Sequence, residues 1–203
     1  MLASVPKLLR TYYPNLTWEG SSNIENAVYL TFDDGPIPEV TPWVLDLLKE
    51  YDIKATFFCI GDNVRKYPDI FERIVSEGHA TGNHTFNHIK GWGSSDLEYL
   101  KNIELARELI DSKLFRPPYG RIKKSQIELI RKDYQIIMWS VLSGDYNRRR
   151  SPSQCFLNVK RNLKSGSIIV FHDSLKAERN MKYALKKTLE LIKERGLNAS
   201  LFS

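Results

Sequence analysis

Short apolar runs recur along the chain, and amphipathic segments separate them. Several runs are apolar throughout instead of alternating with polar residues, which is typical of strands covered on both faces, as in parallel sheets. The predicted strands are 27–32, 55–60, 114–116, 135–141, 167–172 and 199–202, with a weaker candidate near 79–81.

The segments between the predicted strands have helical periodicity. Thr41 and Pro42 form an N-cap and first-turn pair, and Pro68 begins a second helix that ends before Gly78. Further helices are predicted over 94–111, 123–132 and 152–164, and over a long segment that ends at Gly196. This alternation indicates an α/β fold, either a small or incomplete (β/α) barrel or an open doubly wound sheet. In both architectures, functional residues lie at the carboxyl ends of the strands.

The chain has no linker, repeat or low-complexity stretch that would divide it. Residues 1–25 are predicted to be an irregular N-terminal segment, and residues 26–203 a single domain. No apolar run approaches the roughly 20 residues needed to span a bilayer. Since the first residues also lack the apolar core of a signal peptide, we expect a cytoplasmic protein, or an exported one whose leader is missing from this sequence.

Composition excludes several classes of protein. A hydrophobic fraction of 42% with 27% charged residues is that of a globular domain, not of a disordered, collagenous or membrane chain. Two cysteines, Cys59 and Cys155, cannot build a disulfide framework or a cysteine-based zinc site. The net charge of +6 favours an anionic partner. The run Arg148–Arg150 is interpreted as a solvated loop, and without a recognition helix or zinc finger no nucleic acid is expected.

Two adjacent carboxylates, Asp33 and Asp34, directly follow the strand predicted at 27–32. At a strand end in apolar surroundings, such a pair is costly without a cation. A solvated Asp-Gly turn is the alternative interpretation.

A pair of histidines, His84 and His88, lies four residues apart. On a helical turn both imidazoles would share a face and could reach one metal ion. Together with a carboxylate they make a three-ligand set with open positions, which is the pattern of a catalytic metal site. His79, which follows a predicted helix end, is expected to be structural.

Two further strand ends carry candidate residues. Arg116 precedes two prolines and could hold a carboxylate ionised. The stiff loop that follows could offer a backbone N–H to an oxyanion. A tight loop without a catalytic role is the alternative interpretation. His172 ends the strand predicted at 167–172. Asp145 could pair with His172 and raise its pKa toward that of a general acid.

The motifs TFDDGP, NHTFNH, RPPYG and IIVFHD, in this order and spacing, resemble the polysaccharide deacetylase family, also called carbohydrate esterase family 4. The resemblance covers roughly residues 27–202. It implies a distorted, incomplete (β/α) barrel of about seven mostly parallel strands. It also implies a metal-dependent hydrolase that removes acetyl groups, N-acetyl above all, from a carbohydrate such as chitin oligomers or peptidoglycan. Zinc is the divalent metal expected.

The resemblance also implies roles for individual residues. Asp33 corresponds to the general base, and Arg116 would orient it. The metal ligands would be Asp34, His84 and His88.

The remaining roles fall on three other strand ends. His172 would be the general acid with Asp145 as its partner, and the backbone N–H of Tyr119 would help to stabilise the oxyanion. Val170 would pack beside the acetyl methyl group.

One family motif is altered in this chain. Leu142 stands where the family has an aspartate, and Tyr146 where it has a tryptophan. These changes put the fit of the substrate in doubt and motivate an alternative, a carbohydrate-binding protein that keeps the metal but has weak or lost catalysis. An amidase acting on non-sugar substrates also stays open. Acetate release from a small acetylated sugar oligomer discriminates between the deacetylase and the binding protein. No oligomeric state is predicted.

Overall fold

Parallel strands form the centre of the molecule. The structure is a computed structural model that describes residues 7–20 and 24–202. The strands in these ranges are β1 Ala27–Asp33, β2 Thr56–Cys59, β3 Ala80–Asn83, β4 Leu114–Phe115, β5 Gln135–Ile136, β6 Val141–Leu142, β7 Ile168–His172 and β8 Asn198–Ala199. Seven of them form one sheet in the order β5-β4-β3-β2-β1-β7-β6, and β8 pairs with the beginning of β1. All these pairings are parallel.

Helices surround this sheet. They are α1 Lys7–Tyr12, α2 Thr41–Glu50, α3 Gly61–Lys66, α4 Pro68–Ser76, α5 Asp96–Arg107, α6 Lys124–Ile130, α7 Pro152–Asn162 and α8 Glu178–Glu194. The predicted incomplete (β/α) barrel is confirmed. No helix in the two described ranges is long and apolar enough to cross a membrane.

Residues 135–141 do not form the single strand that was predicted. Their beginning, β5, pairs with β4, whereas the end of the run continues into β6, which pairs with β7. The N–H of Ile137 donates to the carbonyl of Phe115 at 2.8 Å, and the N–H of Ser140 donates to the carbonyl of Ile168 at 3.1 Å. The chain therefore bends between these residues and connects the two edges of the curled sheet.

The alternation of side chains along β1 separates the core from the site. Val28, Leu30 and Phe32 pack in a cluster with the surrounding helices. The intervening residues, among them Thr31 and Asp33, point to the other face, because successive side chains of a strand alternate. That face is the interior of the barrel, so the last residue of β1 enters the interior at its carboxyl end.

The N-terminal segment departs from the irregular conformation that was predicted. It contains α1, and the side chains of Leu16 and Trp18 are buried. Between them, Thr17 donates its N–H to the carbonyl of Ile136 at 2.9 Å and accepts from the N–H of Met138 at 2.7 Å. These bonds attach the segment to the barrel beside β5. Residues 1–6 and 21–23 of the predicted irregular segment lie outside the described residues, and the boundary at residue 26 stays a prediction.

Thr41 is not the N-cap that was predicted. It lies inside α2, and its hydroxyl accepts from the N–H of Ile37 at 2.8 Å and donates to Asp173 Oδ2 at 2.6 Å. The competing bond to Asp173, which follows β7, explains the difference. The two cysteines, Cys59 and Cys155, are buried and free.

Candidate active site at the carboxyl ends of the strands

A cavity of about 250 Å³ opens at the carboxyl ends of the strands. It is lined by Asp33, Asp34, His84, His88, Tyr119, Trp139, Leu142, Tyr146, Val170, His172, Ser174 and Lys176. Nearly all the residues selected from the sequence therefore meet in one place. Arg116 and Asp145 do not line the cavity, because both side chains are completely buried behind it.

The register of the central strands brings two candidate residues together. β1 and β7 are neighbours, and Asp33 is the Cα partner of His172. Each is the last residue of an apolar strand, so both polar side chains enter the cavity at the point where the buried part of the strand ends. The N–H of Asp173 donates to the carbonyl of Asp33 at 3.1 Å and keeps the two strand ends together.

Arg116 fixes the carboxylate of Asp33. Its Nη1 donates to Asp33 Oδ1 and to Thr31 Oγ1, both at 2.7 Å. Its Nε and Nη2 donate to the carbonyls of Ile137 and Met138 at 3.2 and 3.0 Å. Burial lowers the pKa of Arg116 and the Asp33 charge opposes this, but a guanidinium stays charged in a protein. A buried cation with all these partners holds Asp33 in one orientation.

The ring of His84 is oriented by the backbone of Arg116. Nδ1 of His84 lies 2.7 Å from the carbonyl oxygen of Arg116. Because a carbonyl oxygen can only accept, Nδ1 carries the proton and Nε2 keeps its lone pair. Burial lowers the pKa of His84 to about 4, so the ring is neutral near pH 7. A neutral imidazole with one nitrogen tied to a carbonyl is the usual state of a metal ligand.

The three predicted ligand residues offer atoms that lie within 4.8 Å of one another. Asp34 Oδ1 is 3.2 Å from His88 Nε2 and 3.9 Å from His84 Nε2. It is buried and has no hydrogen-bond partner among the described residues. An unsatisfied buried carboxylate oxygen facing two imidazole nitrogens fits a divalent cation, since His₂-carboxylate sets bind such ions.

The spacing of the two histidines predicts a helical turn, but the structure has none at this position. Residues 84–88 form an irregular loop after β3, and Thr85 and His88 have φ angles of 62° and 57°. Asp34 is also left-handed, with φ of 87°. The ligand atoms therefore converge through unusual backbone conformations of three loop residues, not through helical periodicity.

Asn102 on α5 holds this loop in place. Its Oδ1 accepts from the N–H groups of Phe86 and Asn87 at 2.8 and 2.9 Å, and its Nδ2 donates to Asn87 Oδ1 at 3.2 Å. Thr85 Oγ1 also accepts from the N–H of Ile89 at 3.2 Å. Sequence reasoning missed Asn102, because an asparagine within an amphipathic helix carries no local signal of this role.

His172 and Asp145 form a buried pair on the other side of the cavity. Asp145 Oδ1 is 2.8 Å from His172 Nδ1, and Oδ2 accepts from the backbone N–H of His172 at 2.8 Å. Burial alone lowers the pKa of His172, but the charge and hydrogen bond of Asp145, together with the charges of Asp34 and Asp33, outweigh it and raise this pKa to about 10. His172 is therefore an imidazolium near neutral pH, and its Nδ1 donates to Asp145.

The remaining predicted positions form the cavity wall. Tyr119 lies in a 3-10 turn, Pro118–Gly120, with φ of 60°, and its ring centre is 4.6 Å from that of His88. Tyr146 packs edge-on against His172 at 5.1 Å. Leu142 and Val170 are Cα partners in the β6–β7 pairing.

Three wall residues were missed, namely Trp139, Ser174 and Lys176. Trp139 lies within a segment whose pattern predicted a buried strand, so its exposure to a cavity could not be predicted from its position. By contrast, His79 does not line the cavity, and its Nδ1 accepts from the N–H of Ala55 at 3.1 Å, as expected for a structural histidine.

Comparison with known proteins agrees with this site. Residues 20–135 match the family model described as polysaccharide deacetylase. A peptidoglycan-N-acetylglucosamine deacetylase of Bacillus cereus is 37% identical over 194 residues, which cover 89% of this chain and 88% of the relative. A chitooligosaccharide deacetylase of Azorhizobium caulinodans is 34% identical over 159 residues, or 73% of this chain and 74% of the relative.

A solved structure shows the same fold. It is a peptidoglycan N-acetylglucosamine deacetylase in complex with 4-naphthalen-1-yl-N-oxidanyl-benzamide, with a TM-score of 0.84 and 34% identity, and the match covers 94% of this chain and 92% of that one. The family model spans more than half of the sequence, and the motifs TFDDGP, NHTFNH and RPPYG within the matched range meet at the cavity. The chain belongs to the polysaccharide deacetylase family and is a metal-dependent carbohydrate deacetylase.

Proposed function

We propose that this protein removes N-acetyl groups from N-acetylglucosamine residues of a bacterial cell-wall or chitin-type glycan, with zinc as its metal. The observation that carries the proposal is the arrangement around one cavity. Three convergent ligand atoms share this cavity with an oriented carboxylate, Asp33, and an imidazolium, His172. An amide hydrolase needs this combination, since water must lose a proton and the amine must gain one.

Asp34, His84 and His88 are the residues proposed to hold the metal. Two imidazoles and one carboxylate leave open positions, as in catalytic zinc sites. When bound there, a divalent cation supplies Lewis-acid activation of water and of the acetyl carbonyl. The buried, unpartnered Oδ1 of Asp34 and the free Nε2 of His84 support this assignment.

Asp33 is proposed as the general base. It does not belong to the ligand set, and its Oδ1 is held by Arg116 at 2.7 Å. The adjacent guanidinium pairs with this carboxylate, and a carboxylate can accept a proton from the attacking water. The fixed orientation keeps the carboxylate directed at the same cavity as the ligand atoms.

His172 is proposed as the general acid. Because Asp145 holds its Nδ1, Nε2 is the nitrogen that can give a proton to the leaving amine. The raised pKa keeps the ring protonated at neutral pH. An amine is a poor leaving group until it is protonated, so this proton matters more for an amide than for an ester.

The wall residues are proposed to position the acetyl group. The backbone N–H of Tyr119 would donate to the oxyanion, in a loop made stiff by Pro117 and Pro118. Val170 and Leu142 supply an apolar surface for the acetyl methyl group.

The alternative of a binding protein without turnover is not favoured by the geometry. The residues altered from the family pattern, Leu142 and Tyr146, lie in the wall. Asp33–Arg116 and Asp145–His172 are both complete ion pairs. These contacts support catalysis by this chain.

Release of acetate tests the proposal. Zinc-loaded wild-type protein and Asp33→Asn are compared on N-acetylglucosamine oligomers, peptidoglycan and acetylated xylan. We expect acetate from the N-acetylated polymers and a loss of about 10²–10⁴ in kcat for Asp33→Asn, with metal content unchanged. No acetate from any polymer by the zinc-loaded protein would reject the proposed function, and a nearly unchanged rate in Asp33→Asn would assign the base to another residue.

A further inference from the structure

A second concave surface lies beside the catalytic cavity. This groove, of about 440 Å³, is lined by Asn147, Arg149, Arg150, Gln154, Leu157, Asn158 and Arg161. On α7 the lining residues recur at positions 154, 157, 158 and 161, which is the spacing of one helix face. We call this surface the basic groove. It contains two of the three residues of the Arg148–Arg150 run, to which the deacetylation chemistry gives no role.

The basic groove has no negative charge of its own. Neither Arg149, Arg150 nor Arg161 has a carboxylate oxygen within 4.0 Å in the part of the chain that the structure describes. No acidic residue lines the groove. Three guanidinium groups around one concave surface repel one another and attract an anion. Elsewhere Arg65 and Arg73 pair with acidic side chains, so an unneutralised cluster is not the general state of this surface.

The basic groove and the catalytic cavity meet at neighbouring residues of one loop. Asn147 lines the groove and the preceding residue, Tyr146, lines the cavity. Arg150 lies over Gly144, where a Cβ would be 3.2 Å from its Cδ and Nε. Burial and the Asp145 charge raise the pKa of Tyr146, and Arg150 opposes them, so the guanidinium is within electrostatic reach of the cavity wall.

A further cation lies near Tyr146. Lys176 lines the cavity, and its Nζ is 5.9 Å from the centre of the Tyr146 ring. Lys176 also lacks an ion-pair partner among the residues with described side chains. A glycan that extends from the cavity past Tyr146 would therefore meet positive charge from Lys176 as well as from the basic groove.

We infer that the basic groove is a subsite for an anionic substituent, a carboxylate or a phosphodiester, carried by the glycan on which the cavity acts. This inference rests on the proposed function and narrows its substrate class. A guanidinium binds both kinds of anion through paired N–H groups. Chitin-type chains are neutral, whereas peptidoglycan carries carboxylates on its lactyl-linked peptides and can carry attached phosphodiester polymers. The chain therefore prefers the acidic polymer.

The first experiment measures binding without turnover. Zinc-loaded protein is sedimented in the cold with insoluble chitin, with peptidoglycan stripped of phosphodiester polymers, and with unstripped peptidoglycan. The variant Arg149→Gln/Arg161→Gln removes the two exposed arginines and leaves Arg150 packed over Gly144. We expect its affinity for the peptidoglycans to fall about fivefold relative to chitin. A loss confined to the unstripped polymer would identify phosphodiesters as the anion, and a loss on both would identify carboxylates.

Two control variants separate charge from structure. Arg149→Lys/Arg161→Lys keeps both charges and should restore most of the affinity. Lys101→Gln/Lys132→Gln removes two exposed charges that line neither the cavity nor the groove. This variant should not change the ratio of the affinity for peptidoglycan to the affinity for chitin. The preference for peptidoglycan should also weaken as salt is added, because exposed charges are screened over ~8 Å at physiological ionic strength.

The second experiment measures acetate release from soluble peptidoglycan fragments and from N-acetylglucosamine oligomers. The ratio of their kcat/KM values should fall about fivefold in Arg149→Gln/Arg161→Gln, through KM. An equal loss on chitin, or an unchanged ratio in both experiments, would overturn the subsite. The subsite would also be overturned if Arg149→Gln/Arg161→Gln weakened binding of a DNA duplex but did not weaken binding of the glycans. Selective binding without any acetate would reject the deacetylase proposal and leave the anion subsite standing.

Discussion

The two sides of the catalytic cavity are built in different ways. On one side, Asp34, His84 and His88 present atoms that converge without satisfying one another. On the other, Asp145 accepts from Nδ1 and the backbone N–H of His172 and from the N–H of Tyr146, at 2.8 to 2.9 Å. We call these the ligand side and the acid side.

The difference extends to the backbone. On the ligand side, Asp34, Thr85 and His88 have left-handed backbone conformations. Such a conformation costs a residue other than glycine about 1–3 kcal/mol. On the acid side, His172 is the regular end of β7, and Asp145 lies in a turn after β6 whose left-handed residue is a glycine, Gly144. The ligand side therefore needs a cation and outside support to be stable, whereas the acid side is complete without a ligand. Each prediction below tests one part of this contrast.

The largest effect is expected on the ligand side. His84→Ala/His88→Ala leaves a single carboxylate, so stoichiometric zinc binding and activity should be abolished while the barrel remains folded. Zinc should raise the Tm of the wild-type protein, because a ligand that binds only the native state stabilises it. The double variant should show no such rise. Metal content, circular dichroism and thermal unfolding measure these outcomes, and full retention of zinc by the variant would refute the ligand assignment.

The acid side should respond through pH and not through metal. Asp145 raises the pKa of His172 against the effect of burial, so Asp145→Asn removes the main stabilisation of the imidazolium. Activity that requires protonated His172 is lost as pH rises through its pKa. The basic limb of the kcat/KM profile should therefore move to lower pH in the variant, with zinc content unchanged. A limb that stays in place would show that this pair does not control the acid.

The same contrast explains what could be predicted from the sequence. Asp33 and His172 end apolar strands, so local pattern placed them at the site. The ligand histidines were selected by their spacing, but the helical reason was wrong, because the loop conformation depends on Asn102 in a distant helix. The prediction of a single strand over 135–141 was wrong for a similar reason. Its two pairing partners are distant in the chain, and local periodicity does not record them.

Support of the ligand loop should have a smaller effect than loss of a ligand. Asn102→Ala removes the side-chain acceptor for the N–H groups of Phe86 and Asn87 but touches no ligand atom, and the Phe86 N–H keeps its bond to the backbone carbonyl of residue 102. We expect zinc affinity to fall about tenfold, as is typical when residues that orient ligands are removed. The neighbouring exposed residue provides the control, since Lys101→Ala should not change the affinity. Competition with a zinc chelator measures both, and equal affinities of Asn102→Ala and wild type would show that the loop is held without this helix.

The smallest effect is expected at the wall near the acid side. Tyr146 packs against His172, and Leu142 lies beside Val170 in the sheet, yet neither contributes a ligand atom. Leu142→Asp/Tyr146→Trp restores the family pattern and changes the shape and charge of the wall. It should therefore change the ranking of acetylated substrates by a few-fold, with zinc affinity unchanged. Tyr146→Trp alone provides a second test, because an aspartate at the buried position 142 could destabilise the sheet. Acetate release across N-acetylglucosamine oligomers, peptidoglycan and acetylated xylan gives the ranking. If neither variant changes the ranking of substrates, the wall does not select the substrate. If either variant loses zinc, the two sides of the cavity are coupled more tightly than their separate hydrogen bonds indicate.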